Sequence, residues 1–204
     1  MEKFYYDFST GRIKIDASEG VYPPHEDSIL LARTLEKISG EMKGKKILEM
    51  GCGSGFISIL LSRTLNQRIF SYDVNPVAID DTKRNAKSNN ADIEAIQSDL
   101  FENVAGKYDF IIFNAPYLPV DDSEIDDNNR RQWSRNEYGK DIIERFINES
   151  KNHLEKNGRI MIVFSSLTGN VESLFHANGF SYKIIGKDKI YFEEIYVIEA
   201  EMKK

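Results

Sequence analysis

Apolar residues fall in short blocks along this chain, and the blocks alternate between two periods. Arg12-Ile13-Lys14-Ile15-Asp16 alternates polar and apolar, so the first twenty-five residues read as a short β-hairpin or extended arm with Gly11 as its turn residue. Ile29, Leu30, Leu31 and Leu35 recur at helical spacing and predict a helix over Glu26–Ile38, ended by Gly40. Lys46–Met50 predicts a strand, followed by a glycine-rich turn and a helix over Phe56–Leu65. Arg68–Tyr72 predicts the next strand. Asn75 then supplies a helix cap and Pro76 a first-turn residue for a helix reaching Ser88. Ile93–Ile96 and Tyr108–Phe113 predict two more strands. A helix over Tyr138–Glu155 stops before Asn157-Gly158, and Arg159–Phe164, a helix over Gly169–Ala177, Phe180–Ile185 and Ile190–Ile198 complete the series. The last two strands are too close for a crossover helix and must pair antiparallel. The fold class is therefore α/β: a mostly parallel seven-stranded sheet, helices on both faces, an antiparallel last strand and a short N-terminal hairpin.

Residues 114–137 show neither period and hold Asp121-Asp122, Asp126-Asp127 and Asn128-Asn129. A structureless stretch of that length in a compact domain is usually functional or mobile. No repeat or linker divides the 204 residues, so a single domain is expected.

Composition narrows the chemistry. No apolar run reaches the roughly 18–20 residues of a membrane span, and the acidic N-terminus does not resemble a signal peptide, so a cytoplasmic setting is expected. The single cysteine, Cys52, excludes an intramolecular disulfide and a cysteine metal cluster, and it reads as a small packing residue. The three scattered histidines have no metal-ligand spacing, so no metal is expected. A net charge of −6 speaks against binding naked nucleic acid, which usually needs a basic field.

Three features in register then point to a ligand. Glu49-Met50-Gly51-Cys52-Gly53-Ser54-Gly55 lies between a predicted strand and helix. Its G-x-G-x-G spacing differs from the dinucleotide fingerprint, and an acid entering the turn suits a cation better than a phosphate. S-adenosylmethionine, with its sulfonium and ammonium, fits. Asp73, followed by Val74, ends the second strand, where a carboxylate can accept from two ribose hydroxyls. Ser98-Asp99-Leu100-Phe101 ends the third, offering a carboxylate to the adenine amino group and apolar walls to the ring. All three fall at the carboxyl edge of the sheet.

Asn114-Ala115-Pro116-Tyr117 directly follows the fourth strand. It resembles the Asn/Asp-Pro-Pro-Tyr/Phe signature of class I, Rossmann-like methyltransferases that modify amide or exocyclic amino nitrogens. An amide nitrogen is a poor nucleophile because its lone pair is delocalised. The Asn114 oxygen and the Ala115 carbonyl can accept its two hydrogens and aim it at the methyl group, while Tyr117 stacks on the planar group. Ala115 stands where the signature has its first proline, so the carbonyl is kept and the fixed φ is lost.

Further passages resemble the HemK-type protein-glutamine methyltransferases, in particular their short archaeal and eukaryotic branch. They are Val21-Tyr22-Pro23-Pro24-His25-Glu26-Asp27-Ser28, Asp99-Leu100-Phe101, and Trp133 followed by Gly139-Lys140-Asp141-Ile142-Ile143-Glu144-Arg145-Phe146. Ser134-Arg135-Asn136 departs from the glycines the branch often has there. The resemblance implies methylation of the glutamine of a Gly-Gly-Gln tripeptide in a class I translation release factor. It also implies that Glu26 or Asp27 lies near the cofactor, that the loop to Glu137 holds the protein substrate, and that a small zinc-binding activator subunit assists. The same Asn-x-Pro-Tyr chemistry suits an adenine or guanine N-methyltransferase acting on DNA or RNA. A methyltransferase-like subunit without turnover is the non-enzymatic alternative.

Overall fold

A computed structural model describes residues 1–115, 136–168, 170–190 and 193–203. Its centre is a seven-stranded sheet of order β5-β4-β3-β6-β7-β9-β8. The strands are β3 (Ile47–Met50), β4 (Ile69–Asp73), β5 (Ile93–Gln97), β6 (Tyr108–Asn114), β7 (Leu154–Ser165), β8 (Phe180–Ile190) and β9 (Glu193–Met202). From β5 to β7 every pairing is parallel, whereas β9 runs antiparallel to both of its neighbours. Parallel strands lie under helices on both faces and read as continuous apolar runs. Accordingly all four residues of β3 are buried, as are Phe110, Ile111, Ile112 and Phe113 of β6. The predicted fold is the observed one.

Among the described residues five α-helices accompany the sheet: α1 (Glu26–Met42), α2 (Phe56–Leu65), α3 (Pro76–Ser88), α4 (Asn136–Ser150) and α5 (Glu172–Ala177). The α2 boundaries match the sequence pattern, and the Asn75 side chain caps α3 by accepting from the Val77 N–H, with Pro76 in the first turn. Three expectations are corrected. Gly40 lies inside α1, which runs on until Met42 is buried and Gly44 takes a positive φ. Helix α4 ends at Ser150, because Leu154 is drawn into β7 opposite Tyr108 and the residues before Arg159 form a bulge. Helix α5 starts at Glu172.

The expected hairpin is present: β1 (Glu2–Phe8) pairs with β2 (Gly11–Ala17), and Ser9-Thr10 forms the turn with Gly11 beginning the second strand. Its docking explains the order of the N-terminal arm. Ile13 and Ile15 are fully buried, and Tyr6 and Phe8 pack on Phe56 at the start of α2 with ring centroids 4.6 and 5.8 Å apart. The free edge of β2 would otherwise carry unpaired backbone groups. Side chains of α3 at successive helical turns satisfy it instead. Asn89 accepts from the Lys14 N–H (3.0 Å) and donates to its carbonyl (2.7 Å), and Asn85 does the same for Asp16 (3.1 and 2.9 Å). Asp81 accepts from the Ser18 N–H and hydroxyl, both at 2.7 Å. Asn85 also donates to the Ser54 carbonyl at 2.8 Å, which ties the hairpin to the glycine-rich turn.

Candidate active site

The carboxyl ends of β3, β4, β5 and β6 gather the glycine turn, Asp73, Asp99 and Asn114 along one edge of the sheet. Gly51, Gly53 and Gly55 all have positive φ. At Gly55 (φ 84°) a Cβ would sit 3.0–3.1 Å from Thr82, so helix α3 packs directly on the turn. Gly53 points its N–H at Asp73 Oδ2 (2.8 Å), and Asp73 Oδ1 accepts from the Asn75 N–H (2.9 Å). A carboxylate has about four lone-pair sites. Together with the Val74 N–H, which also bonds this carboxylate, these donors lock the Asp73 plane at the sheet edge. Burial raises the Asp73 pKa against the pull of those N–H donors. Val74 follows it as an exposed apolar surface.

Glu49 lies beneath the turn rather than on its surface. It is 2% exposed, and its Oε2 accepts from the N–H (2.9 Å) and the hydroxyl of Ser58, the third residue of α2. Because Gly55 has no side chain to cap this helix, Glu49 satisfies one of its free N–H groups from below. Burial pushes its pKa up to about 8, despite the Ser58 hydrogen bonds, and the nearby Asp73 charge adds to the rise. Ser71 on β4 completes the chain through a 2.6 Å contact with the Ser58 hydroxyl. Cys52 is buried, as expected of a packing residue, and its thiol is held well above the usual range by desolvation.

The β5 end is a tight turn in which the Ser98 hydroxyl donates to the Leu100 carbonyl (2.7 Å) and accepts from the Asn103 N–H (3.0 Å). Leu100 takes a φ of 44° and turns inward. Phe101 is also buried, its ring stacked 4.8 Å from His153 and tilted at 5.6 Å from Phe146, so it packs into the core. Asp99 is left exposed, 3.4 Å from Arg145 on α4.

Asn114, the last residue of β6, meets the start of α1. Its Nδ2 donates to Asp27 Oδ2 (3.2 Å) and to the Ser28 hydroxyl (3.1 Å). Its Oδ1 is buried and has no hydrogen-bond partner among the described residues. An unpaired buried acceptor is costly, so this one has capacity for a donor from beyond the described residues. Asp27 is buried, while Glu26 beside it is exposed on the rim. Ala115 is buried directly after Asn114; Pro116, Tyr117 and Trp133 lie outside the described residues. Sequence reasoning missed Ser28, whose place in Glu-Asp-Ser was the available signal. It also missed Tyr22, whose hydroxyl bonds Asp27 and whose pKa is pushed up by burial and the neighbouring acids. Among the described residues no group of side chains could hold a metal ion, and no helix is long and apolar enough to cross a membrane.

A glycine turn, a strand-end aspartate and an amide oxygen without a partner among the described residues, gathered at one sheet edge, are the features of a class I S-adenosylmethionine-dependent methyltransferase. Comparison with known proteins agrees. Residues 13–130 match the methyltransferase small domain family. A Methanocaldococcus jannaschii chain, provisionally named protein N5-glutamine methyltransferase, is 42% identical over 191 residues, covering 92% of this chain and 95% of that one. The release factor glutamine methyltransferase of Aquifex aeolicus is 32% identical over 202 residues, covering 93% and 70%. Among solved structures, the E. cuniculi Mtq2-Trm112 complex, responsible for methylation of the eRF1 termination factor, superposes with TM-score 0.67 at 21% identity, covering 90% of this chain and 99% of that one. T. thermophilus RsmC, a 16S rRNA methyltransferase solved with AdoMet and guanosine, gives TM-score 0.76 at 18% identity, covering 99% and 50%. This chain belongs to the methyltransferase small domain family, in its HemK-type branch.

Proposed function

We propose that this protein methylates the side-chain nitrogen of the glutamine in the Gly-Gly-Gln motif of a class I translation release factor, in the cytoplasm. The observation that carries the reading is the orphaned Asn114 Oδ1. When bound, S-adenosylmethionine supplies an electrophilic methyl group on a sulfonium. With it bound, Asp73 would hold the ribose hydroxyls, the backbone of the Gly51, Gly53 and Gly55 turn would approach the methionine portion, Val74 would lie against the adenine, and Asp99 would accept from its amino group. Leu100 holds the turn that presents Asp99. Glu49 supports the turn from below, and Glu26 guards the rim.

Asn114 Oδ1 and the Ala115 carbonyl accept the two hydrogens of the substrate amide. That pairing fixes the nitrogen in line with the methyl group and draws electron density onto it. With the cofactor bound, the amide nitrogen so held would take the methyl group from the sulfonium, leaving the neutral thioether, and would release its proton to solvent. Pro116 and Tyr117, with the rest of 114–137, hold the protein substrate in this reading, Tyr117 stacking on the amide plane. The whole of 1–204 acts as one methyltransferase domain. A small zinc-binding activator subunit works with it, a reading supported by the paired chains of the Mtq2-Trm112 structure.

The test is methyl transfer from labelled S-adenosylmethionine to the organism's own release factor, with and without the co-purifying small subunit. Label that disappears when the Gly-Gly-Gln glutamine is replaced supports the proposal. Label on bulk nucleic acid alone would move the substrate to a base amine, and cofactor binding with no label on either would favour a subunit without turnover.

A further inference from the structure

The Asn114 carboxamide could face its substrate with either end, and only one end is useful. With the oxygen outward it accepts a hydrogen from an amide or amine. With the NH2 outward it repels the same group. The two orientations have nearly the same shape, so packing cannot choose between them; hydrogen-bond chemistry must.

Two neighbours make the choice. Asp27 Oδ2 lies 3.2 Å from Asn114 Nδ2, and a carboxylate can only accept. The Ser28 hydroxyl lies 3.1 Å from the same nitrogen, and its own hydrogen is directed to Asp27 Oδ1 at 3.1 Å, so towards Asn114 it too is an acceptor. Asp27 cannot swing away. Its Oδ1 takes the Ser28 N–H at 2.6 Å, the Tyr22 hydroxyl bonds the same carboxylate, and the side chain is 5% exposed. Asp27 also sits in the first turn of α1, where the helix dipole favours a negative charge. Its acceptor positions are filled from within the protein.

We propose that Asp27 is a positioning residue that fixes the Asn114 carboxamide with its oxygen towards the substrate, rather than a contact to the cofactor. The inference rests on the reading of Asn114 as the acceptor for a substrate N–H. It predicts a reversal that a structural role does not. In Asp27→Asn the new amide turns its NH2 towards Asn114 and keeps its oxygen on the Ser28 N–H. Asn114 then rotates to offer its own oxygen inward. In Asn114→Asp two carboxylates oppose each other. Combining the two changes pairs the new amide's NH2 with one oxygen of the new carboxylate and leaves the other oxygen facing the substrate.

Two measurements decide the matter. The first needs no substrate: proton exchange of the Asn114 side-chain NH2 by NMR in the folded protein. In the wild type both hydrogens are held by Asp27 and Ser28 and exchange slowly; in Asp27→Asn they take the place of the oxygen that has no partner among the described residues, lose both acceptors and exchange at least about tenfold faster. Equal rates would overturn the proposal whatever the substrate. The second is methyl transfer to the release factor. Asp27→Asn should lower kcat about 100-fold with an unchanged cofactor Kd, as loss of one preorganised polar contact does. The double variant should recover at least about tenfold over either single variant. A double variant no better than the worse single one would also overturn the inference. If the wild type labels no release factor, the functional proposal fails, and the exchange rates still decide the role of Asp27.

Discussion

A fully buried carboxyl group with its pKa near 8 couples the folding of this protein to pH. Glu49 has an ordinary value of 4.5 in an exposed chain and about 8 in the fold, because desolvation outweighs its hydrogen bonds from Ser58. The folded protein thus keeps a proton on Glu49 at neutral pH that the unfolded chain has lost. A raised value means stability that is complete below about pH 4.5 and is lost as pH rises through 8. Each pH unit inside that window costs about 1.4 kcal/mol. Moving from pH 5.5 to 7.5 should therefore remove roughly 2–3 kcal/mol, which lowers Tm by about 5–10 °C in a chain of this size. Glu49→Gln keeps an acceptor for the Ser58 N–H and has nothing to titrate.

The assay is denaturant unfolding of the cofactor-free protein at half-unit pH steps, wild type beside Glu49→Gln. The difference between the two removes every titrating group that does not interact with Glu49, leaving Glu49 and the Asp73 charge coupled to it. The variant should gain on the wild type steadily between pH 5 and 8. Parallel curves for the two proteins would refute the reasoning and would mean that Glu49 is ionised in the fold, held by the α2 N-terminus.

Three further outcomes are expected. Asp73→Ala should weaken S-adenosylmethionine binding by about 1–3 kcal/mol through lost charged hydrogen bonds, and unchanged calorimetric affinity would remove Asp73 from the site. Asn85→Ala strips partners from the Asp16 N–H and carbonyl and from the Ser54 carbonyl; it should cost about 2–3 kcal/mol in denaturant unfolding, and a neutral result would mean that water replaces the side chain. Gly55→Ala, at φ 84° and facing Thr82, should lower stability by about 1–3 kcal/mol and weaken cofactor binding, whereas a variant as stable as the wild type would show that α3 moves easily.

Much of the fold was legible because its elements carry strong local signals. Asn75-Pro76 states a helix start whatever surrounds it, and the continuous apolar run of β6 suits a strand buried on both faces. Boundaries failed where tertiary contacts overrode the local pattern. Gly40 reads as a stop, but it lies on the outer part of α1 where nothing crowds it, and burial of Met42 carries the helix past it. The end of α4 was misplaced because Leu154 belongs to β7, a fact set by Tyr108 on another strand. The α3 ladder was written in the sequence as Asp81, Asn85 and Asn89 at four-residue spacing, yet nothing local says that its partner is the backbone of β2.

The site divides along the same line. Residue types that carry chemistry were readable one by one, since glycines, strand-end aspartates and Asn114 each state what they can bind. Their orientation was not, because orientation comes from neighbours distant in sequence. Asn114 and Asp27 are 87 positions apart, and no spacing rule connects them. Both α1 and β6 had to be placed before the oxygen of one amide could be seen to lack a partner among the described residues. An amide whose nitrogen is doubly held and whose oxygen is bare is already polarised for an N–H donor before any substrate arrives. Water would otherwise have to reorient there during methyl transfer. In the proposed function Asn114 supplies the acceptor, and the Asp27-Ser28 pair at the start of α1 supplies its direction.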